Sequence, residues 1–177
     1  MTAATANDTG HRPRIETARL TLRPPERADF DACARFLASD RSAFVGGPVT
    51  ETKDAWRAFS AIAGHWWLHG YGWFMVTRTA TGEVVGCIGL HHPPYHADLE
   101  LGWVLYSATG EGMATEAASA VRDWGRRTLG PAPLVSYIDT ENAASQAVAR
   151  RLGATTDGTR AEHDPACEVW RHPEAAR

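Results

Sequence analysis

The run DLELGWVLYSATGEGMATEAASA, residues 98–120, changes its hydrophobic period in mid-course, and that change decides how the chain is read. Leu99, Leu101, Trp103 and Leu105 alternate with Glu100, Gly102, Val104 and Tyr106, the period-two pattern of a half-buried strand. From Ala114 the spacing becomes three and four: Ala114, Ala117, Ala118, Val121, Trp124 and Gly125 mark one face of a helix. Between the two, Thr109-Gly110-Glu111-Gly112-Met113-Ala114 has to turn the chain. Its glycines admit backbone conformations closed to other residues, and the first N–H groups of the following helix have no internal partner. Together these make an anion site best suited to a phosphate; on the glycines alone, a tight turn without a ligand is an equal reading.

A dinucleotide-binding fold competes for the same turn. It wants a third glycine where Thr115 stands, although Asp139, at the end of the next strand, is placed to mimic the ribose-binding acid. Too few residues follow for the rest of that fold, and the first hundred would go unexplained, so it ranks second.

Composition narrows the class. A length of 177 residues with 44% hydrophobic content suits one domain, and a net charge of −3 with no basic stripe argues against nucleic-acid binding. Cys33, Cys87 and Cys167 are odd in number and far apart, which suits free thiols in a reducing compartment. No run of 18 apolar residues or signal peptide is visible, so the expected location is the cytoplasm, away from membranes.

In chain order, residues 1–14 read as a disordered tail and 15–172 as the domain. The phrase IETARLTLRP, residues 15–24, reads as one short first strand through Leu20 and Leu22. Glu26–Ala38 gives a first helix with Phe30, Cys33, Ala34 and Leu37 on one face, and the stretch to Gly46-Gly47-Pro48 a loop. A second helix is capped by Thr50 and runs to about His69. Its Trp56, Trp66 and Trp67, with Trp73 beyond, are explained by core packing more readily than by a pocket wall. Trp73–Arg78 and Glu83–Leu90 form an antiparallel hairpin in which Gly86 and Gly89 signal a close backbone approach. Leu134–Ile138 is a strand, Asp139–Asn142 opens a helix that stops at Gly153, and Cys167–Trp170 is a last strand. His91-His92-Pro93-Pro94-Tyr95-His96 invites a metal, with Asp98 as an oxygen ligand. Two prolines exclude the helix that would align His92 with His96, and no cysteine pair supports them, so the expectation is no metal.

Three motifs resemble the GNAT superfamily of N-acetyltransferases. The turn resembles its pyrophosphate loop, Gln/Arg-x-x-Gly-x-Gly/Ala, with Thr109 on the first position, Gly112 on the fourth and Ala114 on the sixth. Thr109 departs from the usual Gln or Arg, and Glu111 puts an acid where a base is common. The IETARLTLRP phrase resembles the opening of RimJ/RimL-type members, which acetylate ribosomal-protein N-termini and other amines. The run NAASQAVARRLG, residues 142–153, resembles the family's Asn-x-x-Ala/Ser…Leu-Gly motif, with Ser145 on the Ala/Ser position and Ala149 where many members carry tyrosine.

The resemblance implies an α/β domain with a twisted mixed sheet of six or seven strands and helices on both faces. It implies acetyl-coenzyme A as co-substrate, held by Thr109, Gly110, Glu111, Gly112, Met113, Ala114, Thr115, Asn142 and Ser145 and by the backbone of Leu101, Gly102, Trp103 and Val104. Those strand N–H groups would hold the thioester oxygen as charge develops. The acceptor is a primary amine, a peptide N-terminus or a small molecule, attacking directly in a ternary complex; a homodimer is compatible with this. Glu100 is the leading general base, acting through water, with His91, His92 and His96 in reserve. Ser145 takes the missing tyrosine's part as proton donor to the thiolate, or else caps or packs in its helix. The rival class is a non-catalytic module that binds acyl-coenzyme A, favoured by Thr109, Glu111 and Ala149.

Overall fold

The structure is a computed structural model that describes residues 13–107 and 109–174, so most of the expected tail, residues 1–12, lies outside the described residues. Seven strands form one sheet in sequence order: β1 Ile15–Glu16, β2 Leu20–Arg23, β3 Trp73–Arg78, β4 Val84–His91, β5 Leu99–Leu105, β6 Leu134–Asp139 and β7 Cys167–Arg171. Every neighbouring pair is antiparallel except β5–β6. The connection between those two is helix α3, Met113–Leu129, the crossover that parallel strands need.

The expected single first strand is two. The Thr17 amide donates to the Leu20 carbonyl (2.9 Å), and the Leu20 amide to the Thr17 hydroxyl (3.0 Å). That turn folds Ile15 back opposite Leu22. The first helix also begins later than its period suggests: Arg27–Asp29 is a 3₁₀ turn closed by a Glu26/Asp29 capping box, and α1 runs Phe30–Leu37. Arg23 grips the buried Asp29 carboxylate with two 2.8 Å hydrogen bonds. Helix α2, Thr52–His69, has Glu51 rather than Thr50 at its N-cap. Helix α4 is Ala143–Arg151.

Two cores lie on opposite faces of the sheet. Ala117, Ala118 and Val121 of α3 pack on Phe74, Val76, Val85, Ile88, Leu90 and Leu101. Cys33, Phe36 and Leu37 of α1 with Ala55 and Phe59 of α2 pack on Met75 and Cys87. A Cβ on Gly86 would lie 2.2 Å from the Val104 carbonyl and one on Gly89 2.3 Å from the Trp73 Cα. The close approach expected at both glycines is therefore that of the flanking strands. Among the described residues no helix is long and apolar enough to cross a membrane.

The one parallel junction is short. Leu99 pairs with Leu134 and Glu100 with Val135, and there the ladder ends. Beyond it β5 and β6 diverge with their facing edges open. Beneath the gap Trp103 packs against a cluster of Ile138, Ala149, Ala154 and Trp170, so the splayed strands stay joined through the core.

Candidate active site

The divergence of β5 and β6 opens a cleft of about 170 Å³, lined by Glu100, Leu101, Gly102, Trp103 and Val104 on one side and Ser136 to Asp139 on the other. Asn142, Ser145 and Cys167 line it too, with Phe44, Val45 and Trp73. All the strand and α4 residues expected from the sequence thus meet in one place.

Which backbone groups face the cleft follows from ladder alternation. The Tyr106 amide donates to the Val85 carbonyl of β4 (2.8 Å), so Val104 and Gly102, two and four residues back, also turn their N–H groups to β4. Gly102 and Val104 therefore line the cleft without being its amide donors, a correction to the expectation that the whole run would serve. Leu101 and Trp103 face the open side. The Leu101 carbonyl accepts from the Ser136 hydroxyl (2.5 Å), and the Trp103 N–H is the next on that side, beyond the ladder's last rung. Gly102 has another purpose: a Cβ there would meet the Trp73 ring at 2.3 Å, so glycine is what lets the indole lie against β5. Trp73 both packs in the second core and walls the cleft, whereas Trp66 is core beside Phe74 and Trp124, and Trp67 is fully outside.

Ser136 closes the apex. Because its proton goes to Leu101, it accepts from the His172 Nε2 (2.9 Å), which fixes that tautomer and leaves buried Nδ1 unpartnered. Burial above all, then Arg122 and Arg126, lowers the His172 pKa to about 4, so the ring is neutral.

Glu100 stands on the last rung, opposite His91 of β4 and beside Val135 of β6. Its Oε2 lies 3.5 Å from His91 Nδ1 and 3.5 Å from His96 Nδ1. The His96 ring stacks on His163 (4.2 Å between centroids), and the Tyr137 ring packs edgewise against both (4.9 and 4.6 Å). Burial first, then the neighbouring imidazoles, lowers its pKa to about 4. His92 is exposed; the pair that converges on the carboxylate is His91 and His96, which the argument from His92–His96 spacing could not see.

On α4 the Asn142 side chain accepts from the Ser145 amide (3.0 Å), so Asn142 is the cap and the Ser145 side chain is left to the cleft. Ala149 is fully buried against Ile138 and Trp170, and nothing at that position reaches the cleft. Cys167 is a cleft thiol the sequence reading left aside; burial, then Asp164, pushes its pKa up to about 12. Arg41 donates to the carbonyls of Tyr106 (2.6 Å) and Leu105 (3.1 Å), and so holds the 3₁₀ turn Asp40–Val45 that brings Phe44 and Val45 to the rim.

The glycine turn lies at the other end of β5. Gly110 and Gly112 have φ of 87° and 77°, the left-handed region that favours glycine, and Gly112 is the N-cap of α3. The helix's first orphan amides, Met113 to Thr115, follow it, and the Thr115 hydroxyl is buried without a partner. Glu111 does not stand as a free negative charge here: Arg78 pairs with its carboxylate (3.0 Å) and Arg19 donates to its carbonyl (3.0 Å). Arg19 also grips Glu116 in the first turn of α3. Burial raises the Glu116 pKa, but hydrogen bonds from Thr17 and Arg19 outweigh it and hold the carboxyl below its usual range. Two guanidinium groups thus flank the turn, supplied by β2's approach and β3 rather than by position 109.

A splayed parallel pair with a glycine-capped helix between the strands can be compared with known proteins. The family profile described as an acetyltransferase (GNAT) domain matches residues 19–155. An acetyltransferase from Agrobacterium tumefaciens strain C58 is 42% identical with a TM-score of 0.85, over 96% of this chain and 99% of that one. A GNAT-family acetyltransferase from Bacillus anthracis superposes at a TM-score of 0.74 with 22% identity, over 90% and 96%. RimL, a ribosomal L7/L12 α-N-protein acetyltransferase solved with coenzyme A, superposes at 0.73 with 19% identity, over 92% and 98%, a likeness of fold. The chain belongs to the GNAT family of N-acetyltransferases.

Proposed function

We propose that the protein moves the acetyl group of acetyl-coenzyme A to a primary amine by direct attack in a ternary complex, with Glu100 as general base. The observation that carries this reading is the position of Glu100: on the last rung of β5–β6, lining the cleft three residues before Trp103. In this reading the thioester lies along β5 with its oxygen on the Trp103 N–H, which strengthens its bond as the tetrahedral oxyanion forms. The pyrophosphate sits on the amides of Gly112 to Thr115, with Arg19 and Arg78 beside it. An α-amine has a pKa of about 8 and a lysine of about 10.4, so a proton must leave before attack. Glu100 takes it through water, and as the tetrahedral intermediate collapses Ser145 relays the second proton, shed by the attacking nitrogen, to the departing thiolate. A thiol at about 12 is almost wholly protonated at neutral pH, which argues against an acetyl-Cys167 intermediate and for direct transfer.

The apolar rim of Phe44, Val45 and Trp73 beside an acidic base suits an N-terminal peptide amine, the acceptor of RimJ/RimL-type enzymes. Three free cysteines suit the cytoplasm. The test is thiol release from acetyl-coenzyme A with peptides, aminoglycosides and polyamines, for the wild type and Glu100→Gln. The amide is nearly isosteric, so coenzyme affinity should hold while the rate falls about 10²-fold near neutral pH and recovers in part as pH rises. A wild type that binds acetyl-coenzyme A but releases no thiol with any amine is the binding module instead.

A further inference from the structure

The cluster at Glu100 has a second chemical meaning. Two imidazoles and a carboxylate present His91 Nδ1, His96 Nδ1 and Glu100 Oε2 within 4.8 Å of one another, the one such group of three found among the described residues. Ligand atoms about 2.0–2.1 Å from a tetrahedral zinc lie about 3.3–3.4 Å apart, whereas an octahedral ion of similar bond length brings them to about 3.0 Å. Both distances from Glu100 Oε2 are 3.5 Å, near the tetrahedral edge, and the two Nδ1 atoms lie within 4.8 Å of each other.

An independent observation points the same way. The His96 side chain is only 6% exposed, and its Nδ1, aimed at the carboxylate, has no hydrogen-bond partner. A buried ring nitrogen without a partner is costly unless something else fills its lone pair. Its pose is set from outside the cluster by Tyr137 and His163, and by the turn in which the His96 amide donates to the Pro93 carbonyl (3.0 Å). His91 and Glu100 are held opposite each other by the β4–β5 ladder. The ladder therefore holds two of the donors in advance, and the turn with its ring contacts holds the third.

We propose that His91, His96 and Glu100 bind one zinc ion, with the fourth position open to the cleft, and that zinc inhibits acetyl transfer by occupying the Glu100 lone pair. The site stands on its own geometry; the inhibition rests on Glu100 as base. Two imidazoles with one carboxylate suit zinc among the common divalent ions, and magnesium or calcium, which prefer all-oxygen sets, should not compete.

The test is calorimetric titration of zinc into chelator-treated protein without coenzyme A, whose thiol binds zinc itself, with cobalt(II) as an optical probe. One zinc per chain is expected, and a cobalt spectrum of tetrahedral intensity. His96→Ala and Glu100→Gln should each weaken binding at least about 100-fold. His69→Ala should leave it unchanged, which separates this site from the stacked His65–His69 pair on α2. If His96→Ala does not fold, His91→Gln supplies the same arm. Absence of stoichiometric binding, octahedral cobalt, or full binding in the folded ligand variants overturns the proposal. Free zinc set by a metal buffer should then suppress wild-type turnover. Zinc that binds at His96 yet leaves turnover unchanged upholds the site and removes Glu100 as the base.

Discussion

The Ser136–His172 contact at the apex of the cleft makes the most exacting prediction, because its energy follows from two buried groups. Ser136→Ala deprives the Leu101 carbonyl and the His172 Nε2–H of their partner at one stroke. A buried polar group left unsatisfied costs about 1–3 kcal/mol, and the alanine hole is too small to reorganise much, so a loss of about 2–4 kcal/mol is expected at pH 7. His172→Gln tests the same contact by pH. The folded imidazole titrates at about 4. The unfolded one titrates at about 6.5, so below that value the unfolded chain binds the extra proton and the wild type loses stability as pH falls through the window from 6.5 to 4. At pH 4 the loss from this one ring is about 3 kcal/mol. Glutamine has no such linkage, and the other depressed histidines, His65 and His96, act equally in both proteins. Urea denaturation of the three proteins at pH 7, 5.5 and 4.5 reads both effects: the His172→Gln curve should gain on the wild type as pH drops. Parallel pH curves, or a Ser136→Ala cost under about 0.5 kcal/mol, would show that the ring is open to water and the contact idle.

Two further outcomes bear on the coenzyme. Gly112→Trp should weaken acetyl-coenzyme A binding strongly in a calorimetric titration. Gly112→Ala, which carries the same positive-φ strain without the bulk, should lose only part of that affinity, and equal affinities in folded variants would take the turn out of the binding site. Ser145→Ala should lower kcat at the low end of the 10²- to 10⁴-fold range with little change in coenzyme Kd or stability, since Asn142 and not Ser145 caps α4; an unchanged, chemistry-limited kcat would leave the hydroxyl without a role.

What the sequence made legible was local. The period change between Leu105 and Ala114 and the two glycines of the turn specify strand, turn and helix within a few residues of each other, and β3 begins and ends where its alternation does. The seven-strand sheet with helices on both faces is as expected. The misread parts depend on partners far along the chain. Nothing near Ile15 announces that Thr17 will reverse it, since the turn is also braced by Thr17 reaching Glu116 (2.6 Å) in α3. Alternation along β5 gives the face that Glu100 and Gly102 share, but not which amides point to β6. That is a matter of register with β4, where Tyr106 meets Val85.

The same dependence bears on the histidines, and on what their placement does to Glu100. Spacing within residues 91–96 excludes a helical metal pair, yet it is silent on Glu100, nine residues on from His91 at the end of β4. It is the β4–β5 ladder, outside that stretch, that sets His91 opposite Glu100. Once it does, one geometry makes two demands on the same oxygen. A carboxylate that accepts a proton from an amine needs its lone pair free. A carboxylate held 3.5 Å from two imidazole nitrogens also completes a metal's ligand set. On the proposed reading the two uses exclude each other at Glu100 Oε2, so the fraction of enzyme competent for transfer should fall as free zinc rises, and removing His96 should abolish that dependence while Glu100 stays in place.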